Sequence, residues 1–189
     1  RIEKIDFDYE KKDKIEIIDE PEIDNRSNNI NSLIDLNKAF TNKSYKILVK
    51  KDYRLVKPLI IYHITNNKIK SKNINLNLDF QLEENSSLRI IDLFNDNSEK
   101  NFLNIFYNFD LKQDAILKNY KIDKIKNKNM KYSFNNIEQA ANSVSETFIL
   151  SSGSQFFKNE INCNLKGKYS SAFINGIFSL SDDRHHEVR

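Results

Sequence analysis

The last residues of the chain hold its densest group of possible metal ligands, in the segment SDDRHHEVR. On a strand, neighbouring side chains point to opposite faces, so His185 and His186 cannot bind one ion together. His185 and Glu187 share a face and are the candidate metal ligands. A metal would need further ligands from elsewhere in the chain, where the sequence offers no cluster of His or Cys. The segment therefore favours a solvated strand face over a metal site.

Cys163 and His63 are the other side chains of chemical interest, and each lies in an apolar strand pattern. Free cysteine is among the most buried residue types, so Cys163, on one face with Ile161 and Leu165, predicts a core thiol. A lone cysteine does not make a zinc site. His63, in LIIYHI, predicts a hydrogen-bonded core or edge histidine instead of a general base.

No residue pattern in the chain predicts catalysis or cofactor binding. The sequence contains no Ser/His/Asp arrangement, no glycine-rich phosphate loop and no carboxylate pair that stands out. We therefore expect a protein that is not an enzyme, with no catalytic residue and no cofactor-binding residue.

Composition narrows the class of protein. In 189 residues, 30 Lys and Arg stand against 27 Asp and Glu with no long basic block, which is poor evidence for a nucleic-acid surface. No apolar run reaches about 18 residues, so we expect no membrane insertion. A single cysteine forms no internal disulfide and suits a reducing compartment, so the expected location is the cytoplasm.

Changes of pattern divide the chain into three regions. Residues 1–29 are dense in charge and predict a loose N-terminal arm. Residues 30–44 predict a helix and a connection, because apolar residues share one helical face and Asn and Ser side chains can cap its start. Residues 45–189 predict a β core that is truncated at its C-terminal end.

Alternating apolar residues dominate the third region. INLNLDFQL, LNIFYNFDL, FKNEINCNL and SAFINGIFSL each place apolar side chains on one face, and the shorter candidates are KILV, PLIIYHI, LRIIDLF, AILKNYKI and SETFIL. Strands that start about every 10–15 residues predict a mainly β fold: a sandwich, a barrel or a solenoid. Alternation alone does not separate these, because each has one inward and one outward face per strand.

Several motifs follow one another from about Leu33 to Arg189. They are LNKAF at the end of the helix, KPLIIYHIT, SSLRIIDLF, NFLNIFYNFDLKQDAILKNYKI and the terminal block FFKNEINCNLKGKYSSAFINGIFSLSDDRHHEVR. In this order they resemble the paired SufB/SufD scaffold family of the SUF iron–sulfur cluster assembly system. The resemblance implies a right-handed parallel β-helix, preceded by a short helical segment.

The D-R-H-H-E ending resembles the SufD branch, since the SufB branch usually has a Gln-Asp-Thr-Gly-Ser run there. The chain departs from the family at SSGSQFF, in place of a glycine-rich turn, and at Lys158, where arginine is common. The resemblance implies a non-enzymatic, SufD-like scaffold subunit that pairs with a SufB-like subunit and a SufC-like ATPase. It also implies that partner contacts and cluster handling lie beyond residue 189, so we expect no cofactor in this part of the protein.

A β-solenoid that binds or cleaves carbohydrate is the alternative from another functional class. Such sites usually need clustered acids or exposed aromatics, whereas here the aromatics mostly alternate inward and the chain has no tryptophan.

The truncated end of the β core also predicts an open strand edge near Ile174, Phe178 and Leu180. Because an open edge templates pairing with another chain, we expect the isolated chain to self-associate through its C-terminal end.

Overall fold

The computed structural model describes residues 13–20, 31–41, 44–65, 70–96, 100–124 and 127–189. The helix and strands in these residues are β1 (Ile15–Glu20), α1 (Ser32–Phe40), β2 (Ser44–Val49), β3 (Leu59–Thr65), β4 (Asn73–Leu82), β5 (Ser87–Asp96), β6 (Phe102–Leu111), β7 (Ile116–Asp123), β8 (Met130–Gln139), β9 (Val144–Ser151), β10 (Phe156–Leu165), β11 (Ser171–Phe178) and β12 (His185–Val188). The prediction of a mainly β fold with one short helix before it is confirmed.

The strands form two sheets that the chain enters in turn. Sheet A has the order β1-β2-β4-β6-β8-β10-β12, and sheet B has the order β11-β9-β7-β5-β3. From β2 onward, each strand pairs in parallel with the strand two places along the chain. Consecutive strands therefore make the turns of a solenoid, and the predicted β-helix is confirmed as a β-solenoid.

One strand runs against this parallel stacking. β1 pairs antiparallel with β2, with Ile15 opposite Val49, and the buried Ile15 packs into the core. The sequence predicts a loose arm over residues 1–29, but the structure places β1 within that range. Residues 1–12 and 21–29 lie outside the described residues. The division of the chain at residues 29 and 44 stays a prediction.

The interior of the solenoid changes character along the chain. Its first turns are filled by apolar side chains such as Phe80 and Phe109, which are fully buried and stack with ring centroids 4.9 Å apart. From β7 onward many inward side chains are polar. β8 turns Lys131, Ser133, Asn135 and Gln139 inward, and all four are buried. This polar inner face explains why apolar alternation does not reveal β8 in the sequence.

Helix α1 packs on the outer face of sheet A, against β4 and β6. The side chain of Asn31 caps its first turn by accepting from the Leu33 N–H, as the sequence predicts for an Asn or Ser at this end. The amide of the buried Asn37 donates to the backbone oxygens of Leu76 and Asn104, at 3.2 and 2.6 Å. In the described part of the chain, no helix combines the length and the apolar character needed to cross a membrane.

The corners from sheet A to sheet B repeat one backbone conformation. Asp52, Asn85, Asp114 and Asn142 all have φ between 55° and 59°, a left-handed region that Asp and Asn enter more readily than other residues except glycine. Their backbone N–H groups donate to the next corner, as from Asn142 to the Lys168 oxygen at 3.0 Å. Stacked corners thus turn the chain tightly without glycine.

We expect Asn142→Val to destabilise the fold by about 1–2 kcal/mol, because a β-branched side chain is strained at positive φ. Asn142→Gly is the matched control and should leave the free energy of unfolding nearly unchanged, since glycine adopts this conformation freely. Urea denaturation of the two variants measures the difference. Equal losses for both would mean that the Asn142 side chain, and not the backbone conformation, stabilises this corner.

Candidate functional site

A column of polar side chains runs inside the solenoid, where the strands of sheet B end and those of sheet A begin. β3 supplies His63, β5 supplies Asp92, and β7 supplies Lys121 and Asp123. These positions face inward because side chains on a strand alternate, and each strand here stacks in register on the next, with Asp92 directly opposite Lys121. Tyr107, Lys131, Ser154 and His186 lie next to them or to one another, and we call the whole group the interior polar ladder.

Asp92 is the centre of the first half of the ladder. Its carboxylate is fully buried, and His63 Nε2 lies 2.6 Å from Oδ1. The hydroxyl of Tyr107 donates to Oδ2 at 2.6 Å, and Lys121 Nζ lies 3.3 Å from the same oxygen. The His63 ring also stacks on Phe94 at a centroid distance of 4.3 Å. The prediction that His63 is a hydrogen-bonded core or edge histidine is therefore confirmed.

Lys131 is the centre of the second half. Its ammonium, on a side chain only 3% exposed, lies 3.2 Å from Oδ2 of Asp123, and the hydroxyl of Ser154 donates to the same oxygen at 2.9 Å. The ammonium also sits over two aromatic rings, 3.3 Å from the centroid of Phe94 and 4.4 Å from that of Phe157. Both the carboxylate and the ring faces offset the loss of water around this buried charge.

His186 ends the ladder in β12. Its Nε2 lies 2.7 Å from the backbone oxygen of Ser154, and its Nδ1 lies 2.9 Å from the hydroxyl of Ser151. A backbone oxygen only accepts, so Nε2 donates, and in the neutral ring Nδ1 accepts from Ser151. Both ring nitrogens thus make hydrogen bonds to the preceding turn of the solenoid.

Burial and neighbouring charges act together on the pKa values of the ladder. Burial opposes ionisation of Asp92, yet His63, Lys121 and the hydrogen bond from Tyr107 hold its pKa well below the ordinary value. Burial lowers the pKa of Lys121 to about 8, because the attraction of Asp92 offsets it only in part and Lys131 repels the charge. Burial, and then Asp92, raises the pKa of Tyr107 well above its usual range. At neutral pH the ladder therefore holds an ionised Asp92 beside a mostly protonated Lys121.

The candidate metal ligands lie on the outer face of the last described strand. The His185 ring stacks on Phe156, with centroids 5.4 Å apart, and Glu187 accepts a hydrogen bond from Arg189. His186 points the other way, into the ladder. Within the described ranges, no three or more His, Cys, Asp or Glu side chains are grouped to hold a metal ion, so the structure adds no third ligand to His185 and Glu187.

The prediction of a core thiol at Cys163 is confirmed only in part, because this side chain packs against the core but is half-buried. It does lie on the inner face, in register with the buried Ile137 of β8. However, β12 pairs with β10 only over Phe156–Asn159, so no described strand covers Cys163 from the far side. Burial still raises the pKa of the thiol.

Sequence reasoning missed most of the ladder. The strands LRIIDLF and AILKNYKI are predicted, but the charged residues at their inward positions, Asp92 and Lys121, are not singled out. The signal was present, because Leu88, Ile90 and Phe94 fix which face of β5 is inward, and Asp92 lies on that face. The pairing of Asp92 with Lys121 depends on the register of two turns, which one strand does not encode.

The interior polar ladder is buried. Its charged groups contact one another, and the most exposed of the ion-paired side chains, His63, is only 9% exposed. Two surface depressions of about 350 and 390 Å³ lie elsewhere, against Tyr120 and Phe148 and against Asn108 and Lys166. The arrangement therefore fixes the interior geometry of the solenoid.

These features define a class of protein, a parallel β-solenoid with charged pairs buried in its interior and a helix packed on one outer face. The family model described as "SUF system FeS cluster assembly, SufBD core domain" matches residues 63–189. The chain belongs to this SufB/SufD family of the SUF system. No curated protein matches the chain significantly. Membership of the family favours the SUF hypothesis over the carbohydrate alternative.

We expect Asp92→Asn to destabilise the protein by about 3–5 kcal/mol, because it leaves the buried charge of Lys121 without its partner. The double variant Asp92→Asn/Lys121→Met removes both charges and should recover part of this loss. Chemical denaturation of both variants and of Lys121→Met completes the cycle. Strictly additive losses would show that the two side chains are not coupled.

The lowered pKa of Lys121 predicts a specific pH dependence of stability. Between pH 8 and the ordinary lysine value of 10.5, the unfolded chain keeps the proton that the folded protein has released. Stability therefore rises with pH across this window, relative to Lys121→Met. Lys166→Met is a control with the opposite sign, because Glu138 raises the pKa of Lys166 and its contribution is lost at still higher pH. Denaturation at several pH values tests this, and a flat difference between wild type and Lys121→Met contradicts it.

Proposed function

We propose that the chain is a non-enzymatic scaffold subunit of the SUF system and that it represents the SufD branch. The family match, which begins at His63 in β3 and covers the solenoid through β12, carries the part of this proposal that concerns the SUF system. The interior polar ladder supports the non-enzymatic role, because its acid and base groups bind each other within the fold. Iron and sulfur are then cargo of the complex and not a resident cofactor of these residues.

The D-R-H-H-E segment supports the SufD branch. Arg184 donates from Nη1 to Asp182 at 2.7 Å and from Nε to the backbone oxygen of Gly153 at 3.3 Å. His186 reaches Ser151 and Ser154, as described above. Two residues of the segment therefore hydrogen-bond to the preceding turn. The D-R-H-H-E segment thus has a structural role at β12.

The proposed partners are a SufB-like subunit and a SufC-like ATPase in the cytoplasm. We place their main contacts beyond residue 189, as the family resemblance implies. The solenoid would then supply the body of the scaffold, while residues beyond 189 supply the docking of the ATPase. The charge composition of the chain, with 30 basic and 27 acidic residues, suits a protein partner better than nucleic acid.

Co-expression with the SufB-like and SufC-like proteins of the same organism tests the proposal. We expect the full-length gene product to co-elute with both, and the chain ending at Arg189 to lose the ATPase. Size-exclusion chromatography with light scattering gives the composition of each complex. A product that pairs with a SufD-like subunit instead would place this chain in the SufB branch, and retention of the ATPase by residues 1–189 would contradict the proposed location of its contacts.

A further inference from the structure

The outer face of sheet B carries two rows of apolar side chains that cross its strands. The strands are in register, so Ile91 lies beside Tyr120, and Leu93 lies beside Ile122. We call the two rows together the outer stripe. Its members are Ile60, Ile91, Tyr120 and Phe148 in one row, and Tyr62, Leu93, Ile122, Leu150 and Ile177 in the other.

The outer stripe contrasts with the outer face of sheet A. There, the amides of Asn162, Asn136 and Asn108 form a hydrogen-bonded row that ends on the carboxylate of Asp79, with distances of 2.9–3.0 Å. Helix α1 covers part of the same face. On sheet B no described helix covers the stripe, and Tyr62 and Ile177 are each 56% exposed. Continuous apolar patches of this kind on a protein surface usually mark an interaction site.

The dimensions of the stripe fit one α-helix. Five strands about 4.8 Å apart make it about 19 Å long, and two rows about 7 Å apart make it about as wide as a helix with its side chains. A helix of about 13 residues spans that length at about 1.5 Å per residue. Packing two copies face to face through the stripe alone would bury far less than the about 800 Å² per partner of a standard dimer.

Charge and shape next to the stripe point to the chemistry of the helix. Along one side runs a column of charged residues, in which Lys118 pairs with Glu146 at 3.0 Å, while the exposed Arg89 makes no ion pair with another described residue. A depression of about 350 Å³ opens between Tyr120, Phe148 and Phe173. It can receive one large apolar side chain, and Arg89 can receive one carboxylate.

We propose that the outer stripe docks an amphipathic α-helix of another protein. The helix presents apolar side chains at i, i+3, i+4 and i+7 to the stripe, one of which fills the depression at Phe148, and an acidic side chain to Arg89. The packing of α1 on sheet A shows that the outer face of this solenoid accepts a helix. This docking surface does not depend on the SufD assignment, nor on the contacts proposed beyond residue 189.

A fluorescein-labelled helical peptide of about 15 residues, with Leu and Ile at those positions and Glu along one flank, is the probe. Fluorescence anisotropy with the 189-residue chain should show saturable binding with a Kd in roughly the micromolar range. Ile122→Lys places a charge in the middle of the stripe and should weaken binding by at least about tenfold. Asn162→Lys adds the same charge to the outer face of sheet A and should leave binding unchanged.

A charge exchange tests the orientation of the helix. Arg89→Glu should weaken binding of the Glu-flanked peptide and strengthen binding of an otherwise identical Lys-flanked peptide. A peptide of the same composition in alternating order, which has the pattern of a strand, should not bind. Thermal melting and circular dichroism confirm that each variant is folded.

Several results would overturn the proposal. These are no saturable binding, equal binding by wild type and Ile122→Lys, and equal binding of the helical and alternating peptides. Self-association that Ile122→Lys abolishes, without peptide binding, would assign the stripe to a second copy of the chain. Peptide binding only after deletion of residues 1–12 would assign it to the protein's own N-terminal segment. The pairing experiment with the SufB-like subunit is unaffected by any of these outcomes.

Discussion

In-register stacking of parallel strands is the constraint on which the rest of this protein depends. Each strand takes its backbone partners from the turn before and the turn after, so residues at equivalent positions lie directly beside one another. A side chain that one strand turns inward must therefore be accommodated by the same position in the next turn. Asp92 opposite Lys121 satisfies this requirement with opposite charges, and Phe80 opposite Phe109 satisfies it with stacked rings.

The two kinds of interior have different roles. Apolar side chains supply the hydrophobic free energy of folding, while the interior polar ladder, which runs from His63 in β3 to His186 in β12, adds specificity. A shift of one residue in β7 would turn Lys121 and Asp123 to the outer face, so Asp92 would lose the ammonium of Lys121 and Lys131 would lose the carboxylate of Asp123. Because an unpaired buried charge is costly, such a shift is strongly disfavoured, and the ladder specifies the register where apolar contacts become fewer.

Sequence alone predicts the parts of this fold whose inner face is apolar. The strand with Leu103, Ile105, Phe109 and Leu111 is recognised because each of these residues is both hydrophobic and inward. β8 is not recognised, because its inner face carries Lys131, Ser133 and Asn135. The partners of those residues lie in other turns, and a single sequence does not show which strands pair or in which register. The burial of Cys163 is overestimated for a related reason, since its face is inward but the strand that would cover it is not among those described.

Lys131 of β8 contacts side chains in the turns on both sides of its own turn and in one turn further away. Its ammonium touches Phe94 in β5 and Phe157 in β10, and it pairs with Asp123 in β7. In a simple repeat protein each unit interacts only with its immediate neighbours, so such a protein can fray one unit at a time from its ends. Here one buried cation spans several successive turns, so losing the turn that holds Phe157 also weakens the site at Phe94. The later turns are thus expected to melt together as one cooperative block, and not to peel away singly.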